Sequence, residues 1–249
     1  MKTKIKINPR YKILCDFVYS VPYMFSLSGE IVYIRRNILK SFTYIGFDLN
    51  VKSFYIPNVL NRFAYSYIRK SKARRSYEHA LFLSDEGIST PEPVAYIEIY
   101  DTHMLKESYY ISMQVTADGT IRDVLGYGSR CVNRQLVSDF IEFSIDMHKK
   151  GVLHKDYSPS NILYTKDEEG SGYHFMLVDL NRMRMYAVGF LSKCRVWRRL
   201  SLNKSDIKLI SWKYSKEFGF NECLWYVFIS LFNHLFWKNY LFWHPEERI

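Results

Sequence analysis

Near Asn133 the hydrophobic period of this chain changes, and that change commits it to a fold made of a strand-rich half followed by a helical half. Before it stand Glu30-Ile-Val-Tyr-Ile-Arg, Ser41-Phe-Thr-Tyr-Ile-Gly-Phe and Asp48-Leu-Asn-Val-Lys-Ser-Phe-Tyr-Ile. All three are rich in β-branched and aromatic residues, with turn formers between them, and they predict an antiparallel meander. Residues 71–83 predict one helix, charged on one side, with Tyr77 and Leu81 on the other and Gly87 placed to end it. Ser89-Thr-Pro-Glu-Pro is a turn, residues 94–100 and 109–115 predict two further strands, and Thr116-Ala-Asp-Gly-Thr breaks the chain again. Past Asn133, Leu136, Phe140, Phe143 and Met147 recur at helical spacing until Gly151. Asn161-Ile-Leu-Tyr and Tyr173-His-Phe-Met-Leu-Val-Asp then flank an exposed loop, Asp167-Glu-Glu-Gly-Ser-Gly, as a hairpin would, and the remainder reads as helical. The expectation is an α+β chain: a small antiparallel lobe with one helix over residues 1–115 and a mainly helical lobe over residues 116–249.

At 249 residues the chain can bury one substantial core, or two small lobes, and no Pro/Ser-rich linker separates independent domains. Apolar residues at 48% and aromatics at 17% exclude a disordered chain. Cys15, Cys131, Cys194 and Cys223 lie too far apart for a zinc knuckle or a compact disulfide framework, and suit a reducing compartment. Met1-Lys-Thr-Lys-Ile-Lys-Ile lacks the continuous apolar core of a secretory signal, so the expected location is cytoplasmic. The net charge of +10 is concentrated: residues 182–216 carry ten Lys and Arg against the single acid Asp206, and residues 62–75 carry six without an acid. Such fields attract phosphates, anionic lipid or nucleic acid, and are equally compatible with a solvated basic surface.

Chemistry concentrates in His154-Lys-Asp156-Tyr-Ser-Pro-Ser-Asn161 and in Asp179, 18 residues after Asn161 at the end of an apolar strand. Phosphoryl transfer needs a carboxylate for the acceptor hydroxyl, hard oxygen ligands for Mg²⁺ and a cation on the donor phosphates. Asp156 suits the first task, and Asn161 and Asp179 the second. A single Asp in a loop is more often a turn former or cap, but the joint spacing favours a site.

His-x-Asp-x4-Asn followed by a strand ending in Asp resembles the catalytic loop and metal motif of the bilobal protein-kinase-like fold. Lys52, on the third predicted strand, stands where that fold puts its phosphate-contacting lysine, and Glu78, mid-helix, where its partner glutamate would be. Lys-Ala-Arg-Arg-Ser-Tyr-Glu, Gly-Ile-Ser-Thr-Pro-Glu-Pro, His-Lys-Asp-Tyr-Ser-Pro-Ser-Asn-Ile-Leu and Val-Asp-Leu-Asn-Arg-Met-Arg resemble the lipopolysaccharide kinase (Kdo/heptose kinase) family of bacteria, over roughly residues 30–210. The resemblance implies ATP and Mg²⁺ as cofactors, a sugar hydroxyl of an anionic glycolipid as acceptor, and work at the cytoplasmic face of the inner membrane. It also implies Asp156 as base, Asn161 and Asp179 on the metal, Lys52 on the donor phosphates with Glu78 holding it, and His154 as a packed brace of the loop.

The departures narrow this reading. Ser158 stands where a protein kinase would have a basic residue two positions after the catalytic Asp, which points to a sugar or glycolipid acceptor. No Ala-Pro-Glu segment follows Asp179. A Gly-rich phosphate loop is absent, and Arg35-Arg-Asn-Ile-Leu-Lys-Ser occupies its place, so Arg35, Arg36 and Lys40 are the expected phosphate contacts. Asn181 replaces the Gly of the metal motif, and Arg182 and Arg184 are expected near the acceptor. The missing loop leaves a second reading, a non-catalytic pseudokinase that binds through its basic face. A third, nucleic-acid binding, lacks any recognisable stacking module. The aromatic stretch from Cys223 to Trp243 is interrupted by Asn233, His234, Lys238 and Asn239, and reads either as an interfacial membrane contact or as a buried helix.

Overall fold

The computed structural model describes residues 1–55, 69–129, 133–168, 170, 172–186 and 188–244. Ile56, Arg62, Cys131, Glu169 and Ser171, each part of a sequence expectation above, lie outside the described residues. The chain divides into two compact units: Met1–Thr116 with Asp179–Asn181, and Ala117–Val178 with Arg182–Ile249.

The first unit is built on a six-stranded sheet. Its strands are β1 (Lys2–Ile7), β2 (Glu30–Ile34), β3 (Ile38–Tyr44), β4 (Phe47–Ser53), β5 (Pro93–Asp101) and β6 (Met104–Met113), in the spatial order β1-β5-β6-β4-β3-β2. Every neighbouring pair is antiparallel. Two features depart from expectation. The Lys-Thr-Lys-Ile-Lys-Ile segment pairs with β5 as an edge strand, half-burying Ile5 and Ile7. Its alternation is the period of a strand, and its lysines blunt the exposed edge. The β5–β6 turn also falls earlier, because Thr102 and His103 both take positive φ, at 47° and 78°. That is the backbone of a tight hairpin turn, formed here without the Asn or Gly that would announce it.

Helix α1 (Cys15–Leu27) was not anticipated either, since it contains Pro22 and a run of aromatic and β-branched residues. Packing forms it: Phe17, Val18, Val21 and Phe25 are buried with Phe42, Leu49, Ile97, Ile99 and Ile111 of the sheet. Each such side chain contributes about 1.5–3 kcal/mol on burial, enough to outweigh the proline. The chain then turns at Gly29, whose φ is +87° and where a Cβ would collide with the Phe42 ring.

Helix α2 (Lys72–Asp85) packs on β5 and β6 through Ala73, Tyr77, Ala80 and Leu83, with Tyr77 edge-on to Tyr96 at 5.4 Å. Ser71 caps its start by accepting from the Arg74 N–H at 3.0 Å. Gly87, with φ +66°, closes its end: the Gly87 N–H donates to Ser84 O and the Ile88 N–H to Leu83 O. Among its described residues the first unit therefore has helix α1 in addition to the one helix expected.

The second unit centres on α4 (Arg134–Lys149), capped by the Asn133 side chain. Before it come β7 (Gly119–Thr120) and the single turn α3 (Arg122–Leu125). Strand β9 (Ile162–Lys166) pairs with β10 (Tyr173–Leu177) on one side and β7 on the other. Strand β8 (Val152–His154) pairs with β11 (Met183–Met185). The last described helices are α5 (Phe190–Val196), α6 (Lys204–Phe218) and α7 (Glu222–Trp243). The core is aromatic: Phe140 packs against Tyr157 and Trp197, each at 5.7 Å, and Tyr214 lies between Trp197 and Trp225 at 5.7 and 5.2 Å.

Helix α7 has one buried side, Trp225, Ile229 and Asn233, and one exposed side that includes Leu224, Val227, Leu231 and Leu235. No described helix is long and apolar enough to cross a membrane. Cys15, Cys194 and Cys223 are free thiols, and burial pushes that of Cys194 up to about 12.

Candidate active site

The loop from His154 to Asn161 follows β8 and is held from both ends. His154 is fully buried, and its Nδ1 accepts from the Asp156 N–H at 3.1 Å, so Nε2 carries the proton and donates to Val178 O at 3.1 Å. The imidazole is thus neutral and ties the loop to the end of the β10 segment. Tyr157 turns inward, bonded through its hydroxyl to Ser144 of α4 at 2.7 Å. The Ser158 N–H donates to Asp156 O at 2.8 Å, and Asn161 Nδ2 donates to the same oxygen at 2.9 Å. With its nitrogen committed inward, Asn161 presents its amide oxygen as the acceptor.

Asp156 is therefore backbone-locked, and its carboxylate meets two arginines. Arg199, from the turn after α5, donates through Nη1 to Oδ1. Arg182 faces Oδ2 at 3.8 Å, beyond hydrogen-bond length. Arg199 was not singled out from the sequence, where it is one of ten cations in the basic stretch. Nothing local distinguishes it; only the fold carries residue 199 back to residue 156. Arg184 lies exposed on β11, opposite Leu153.

Arg199 arrives there because α7 holds its turn. Asn233 Nδ2 donates to Leu200 O at 2.7 Å and reaches the carbonyls of Trp197 and Arg198 at 3.3 Å. Trp237 Nε1 adds a bond to Leu200 O at 3.1 Å. Asn233, which interrupts the apolar stretch in sequence, is the residue that binds this turn to the helix.

In the first unit, Lys52 of β4 donates through Nζ to Asp179 Oδ1 at 2.5 Å, and Asn181 Nδ2 donates to the same oxygen at 2.7 Å. Asp179 takes φ +57°, a conformation that Asp and Asn tolerate better than most residues. Helix α2 reaches this segment through His79, whose Nδ1 donates to Leu180 O at 2.6 Å. Burial pulls the His79 imidazole below its ordinary value, consistent with a neutral ring.

Two expected contacts are not made. Glu78 does not pair with Lys52; it accepts from Lys70 Nζ at 2.7 Å and Arg74 Nε at 2.8 Å. Burial pushes its carboxyl up, but those two donors outweigh the effect and leave it below the ordinary value. The helical i,i+4 neighbour and the flanking lysine are simply nearer than β4. Lys40 does not point at a phosphate site: its Nζ donates to Phe25 O at 2.7 Å and Ser28 O at 2.9 Å. It neutralises the carbonyl end of α1. Arg35 and Arg36 stand exposed at the tip of the β2–β3 hairpin, where the Arg35 N–H meets Asn37 O at 3.2 Å.

Among the described residues there is no cluster of three or more His, Cys, Asp or Glu side chains suited to a metal. Each unit by itself presents an oxygen of the kind Mg²⁺ takes, the Asp179 carboxylate in the first and the Asn161 amide oxygen in the second.

A model of the lipopolysaccharide kinase (Kdo/WaaP) family matches residues 35–190, more than half of the chain. The chain belongs to that family. Membership in this kinase family makes it a phosphotransferase by kind, and the Kdo/WaaP match includes Lys52, Asp156, Asn161 and Asp179. Among solved structures the chain is similar to "WaaP in complex with acyl carrier protein", at a TM-score of 0.65 and 15% identity over 94% of this chain and 98% of that one. At that identity the likeness shows the fold, which is protein-kinase-like. The bifunctional kinase-methyltransferase WbdD also matches, at a TM-score of 0.45 and 11% identity over 78% of this chain and 42% of that one. No curated protein matches the chain. For this member of the Kdo/WaaP family, Arg199 lies beyond the matched span, so the family pattern could not have pointed to it either.

Proposed function

We propose that the chain is an ATP-dependent kinase that phosphorylates a sugar hydroxyl of the lipopolysaccharide inner core, Kdo or heptose, or of a related glycolipid. The observation that carries this reading is Asp156, a carboxylate fixed by backbone bonds to His154 and Asn161 and flanked by arginines. Asp156 accepts the proton of the acceptor hydroxyl as its oxygen bonds to the γ-phosphorus and the bond to the β–γ bridging oxygen breaks, releasing ADP. Lys52 steadies the donor phosphates, and Asn161 and Asp179 would hold Mg²⁺. When bound, the ion offsets charge on the phosphate oxygens. Arg182 and Arg184 supply positive charge on the acceptor side, and Arg35 and Arg36 replace backbone amides at the hairpin tip. Ser158 leaves the loop without the basic residue of protein kinases.

Incubation with ATP, Mg²⁺ and dephosphorylated core glycolipid should transfer phosphate, and Asp156→Ala should lower kcat about 10²–10⁴-fold. A wild-type protein that phosphorylates no sugar or glycolipid acceptor sinks the reading. The non-catalytic alternative draws support from Lys40 and Glu78, which are engaged elsewhere; calorimetry showing no ATP–Mg²⁺ binding would favour it. A cytoplasmic, peripheral membrane location is part of the proposal, supported by the exposed Leu224, Val227, Leu231 and Leu235 of α7. Co-sedimentation with anionic vesicles checks it.

A further inference from the structure

Beside the catalytic loop, and wholly within the second unit, lies a cavity of about 270 Å³. Its lining includes Lys155 and Tyr157 from the loop, Ser192 and Arg195 from α5, and Arg198 and Arg199 from the turn that follows. Four of these are cations, and among the described residues no acid lines the cavity. Solvated surface arginines normally spread apart; these three fall within five residues of one another and face one concavity with Lys155. Arg199 is committed to Asp156. Among the described residues, Arg195, Arg198 and Lys155 have no carboxylate within ion-pair distance. Burial, and then the charges of Arg195 and Arg199, pull the Arg198 guanidinium below its ordinary value, with the Asp156 charge opposing them only in part.

The cluster is also held in place. Arg195 lies over the Phe232 ring at 6.0 Å and Arg199 over Phe236 at 5.8 Å, both on α7. Asn233 fixes the carbonyls of the same turn. A chain that spends an aromatic helix face and a buried amide on keeping like charges together has prepared them for an anion, because a concave, low-dielectric wall focuses their field. The volume is slightly under the roughly 300 Å³ at which pockets for whole drug-sized ligands begin, which suits one substituent of a larger molecule.

We propose that this cavity is an anion subsite for the acceptor, taking an oxyanion substituent, phosphate monoester or carboxylate, on the sugar whose hydroxyl is presented to Asp156. Arg198 and Lys155 are its principal contacts, with Arg195 at the rim and the Ser192 hydroxyl as a neutral donor. The subsite makes the enzyme selective for charged over neutral sugars. The assignment of the anion to an acceptor rests on the sugar-kinase reading above; the anion binding itself does not.

The test titrates the full chain, without nucleotide, with inorganic phosphate and separately with acetate, followed by calorimetry. Saturable binding of at least one is expected, and which of the two binds tells phosphate from carboxylate. Arg198→Gln and Lys155→Gln should each weaken it about 10-fold or more, while Arg198→Lys keeps part of it. With acceptor in hand, Arg198→Gln should raise the KM for a phosphorylated or carboxylated sugar by a similar factor and leave kcat and the KM for ATP near wild type. Melting curves check that each variant is folded. The proposal is overturned if neither anion binds, if Arg198→Gln and Lys155→Gln bind as wild type does, or if binding is lost in Lys52→Ala and kept in Arg198→Gln. Anion binding that depends on Arg198, without transfer to any sugar, would remove the kinase reading and leave the subsite standing. Transfer with an acceptor KM unchanged in Arg198→Gln would do the reverse.

Discussion

Lys52 and Glu78 divide what a sequence motif can promise from what a neighbour decides. Lys52 donates to Asp179, while Glu78 is held between Lys70 and Arg74. Replacing them should therefore have different consequences. Lys52→Met removes a charge-assisted bond at the donor site and should lower kcat/KM for ATP about 10- to 100-fold. Glu78→Gln removes only partly exposed ion pairs, costing about 0.3–0.5 kcal/mol of helix stability, and should leave the KM for ATP within twofold. Steady-state kinetics with ATP as varied substrate checks both; equal damage from the two substitutions would show that Glu78 reaches Lys52 during turnover. Asp156 and Asn161 could be picked out in sequence because their spacing brings them together along one short loop. Arg199 could not, since 43 residues separate it from Asp156 and its guanidinium resembles every other in the basic stretch.

At the level of elements, α7 is the member whose role its sequence conceals. Its composition suggests a lipid or a core, and it serves the core on one side only, with Trp225 and Ile229 fully buried. Its contribution to the site passes through Asn233, whose amide holds three carbonyls of the turn bearing Arg198 and Arg199. Asn233→Ala should cost about 1–3 kcal/mol, the price of leaving buried acceptors unmet, and should lower kcat as Arg199 loses its register with Asp156. The loss is bounded because Trp237 still donates to Leu200 O. Urea denaturation with parallel activity measurement separates the two effects; a destabilised variant with full kcat would mean that the turn holds its shape without Asn233. Helix α1 carries the opposite lesson. Its Pro22 and aromatic run argue against a helix locally, and the apolar face of the sheet overrules them.

For the whole molecule, the most informative titration is far from the site. His148 of α4 is buried, with its Nδ1 against the Tyr214 hydroxyl at 2.9 Å. Burial, and then the Lys193 charge, hold its imidazole down to about 3. The unfolded chain takes up this proton near pH 6.5 and the folded chain does not, so the unfolded state binds more protons between those values. Stability from this group is present above pH 6.5 and falls with pH through that window, by up to about 1.4 kcal/mol per unit. Melting temperatures from pH 7.5 to 4.5 should show a shallower decline in His148→Gln than in wild type; identical slopes would exclude His148 as a cause. The sequence alone determined the α+β class, the hairpin, the helix stop at Gly87, and the loop from His154 to Asn161, because each depends on residues within one turn or one strand pair. Only the tertiary structure decided that Lys2–Ile7 completes the sheet, that Lys40 and Glu78 serve helix α1 and helix α2, and that Arg199 meets Asp156. Those outcomes depend on which long side chain is nearest once the chain has folded, and charge is the same along every basic stretch until packing assigns it a partner.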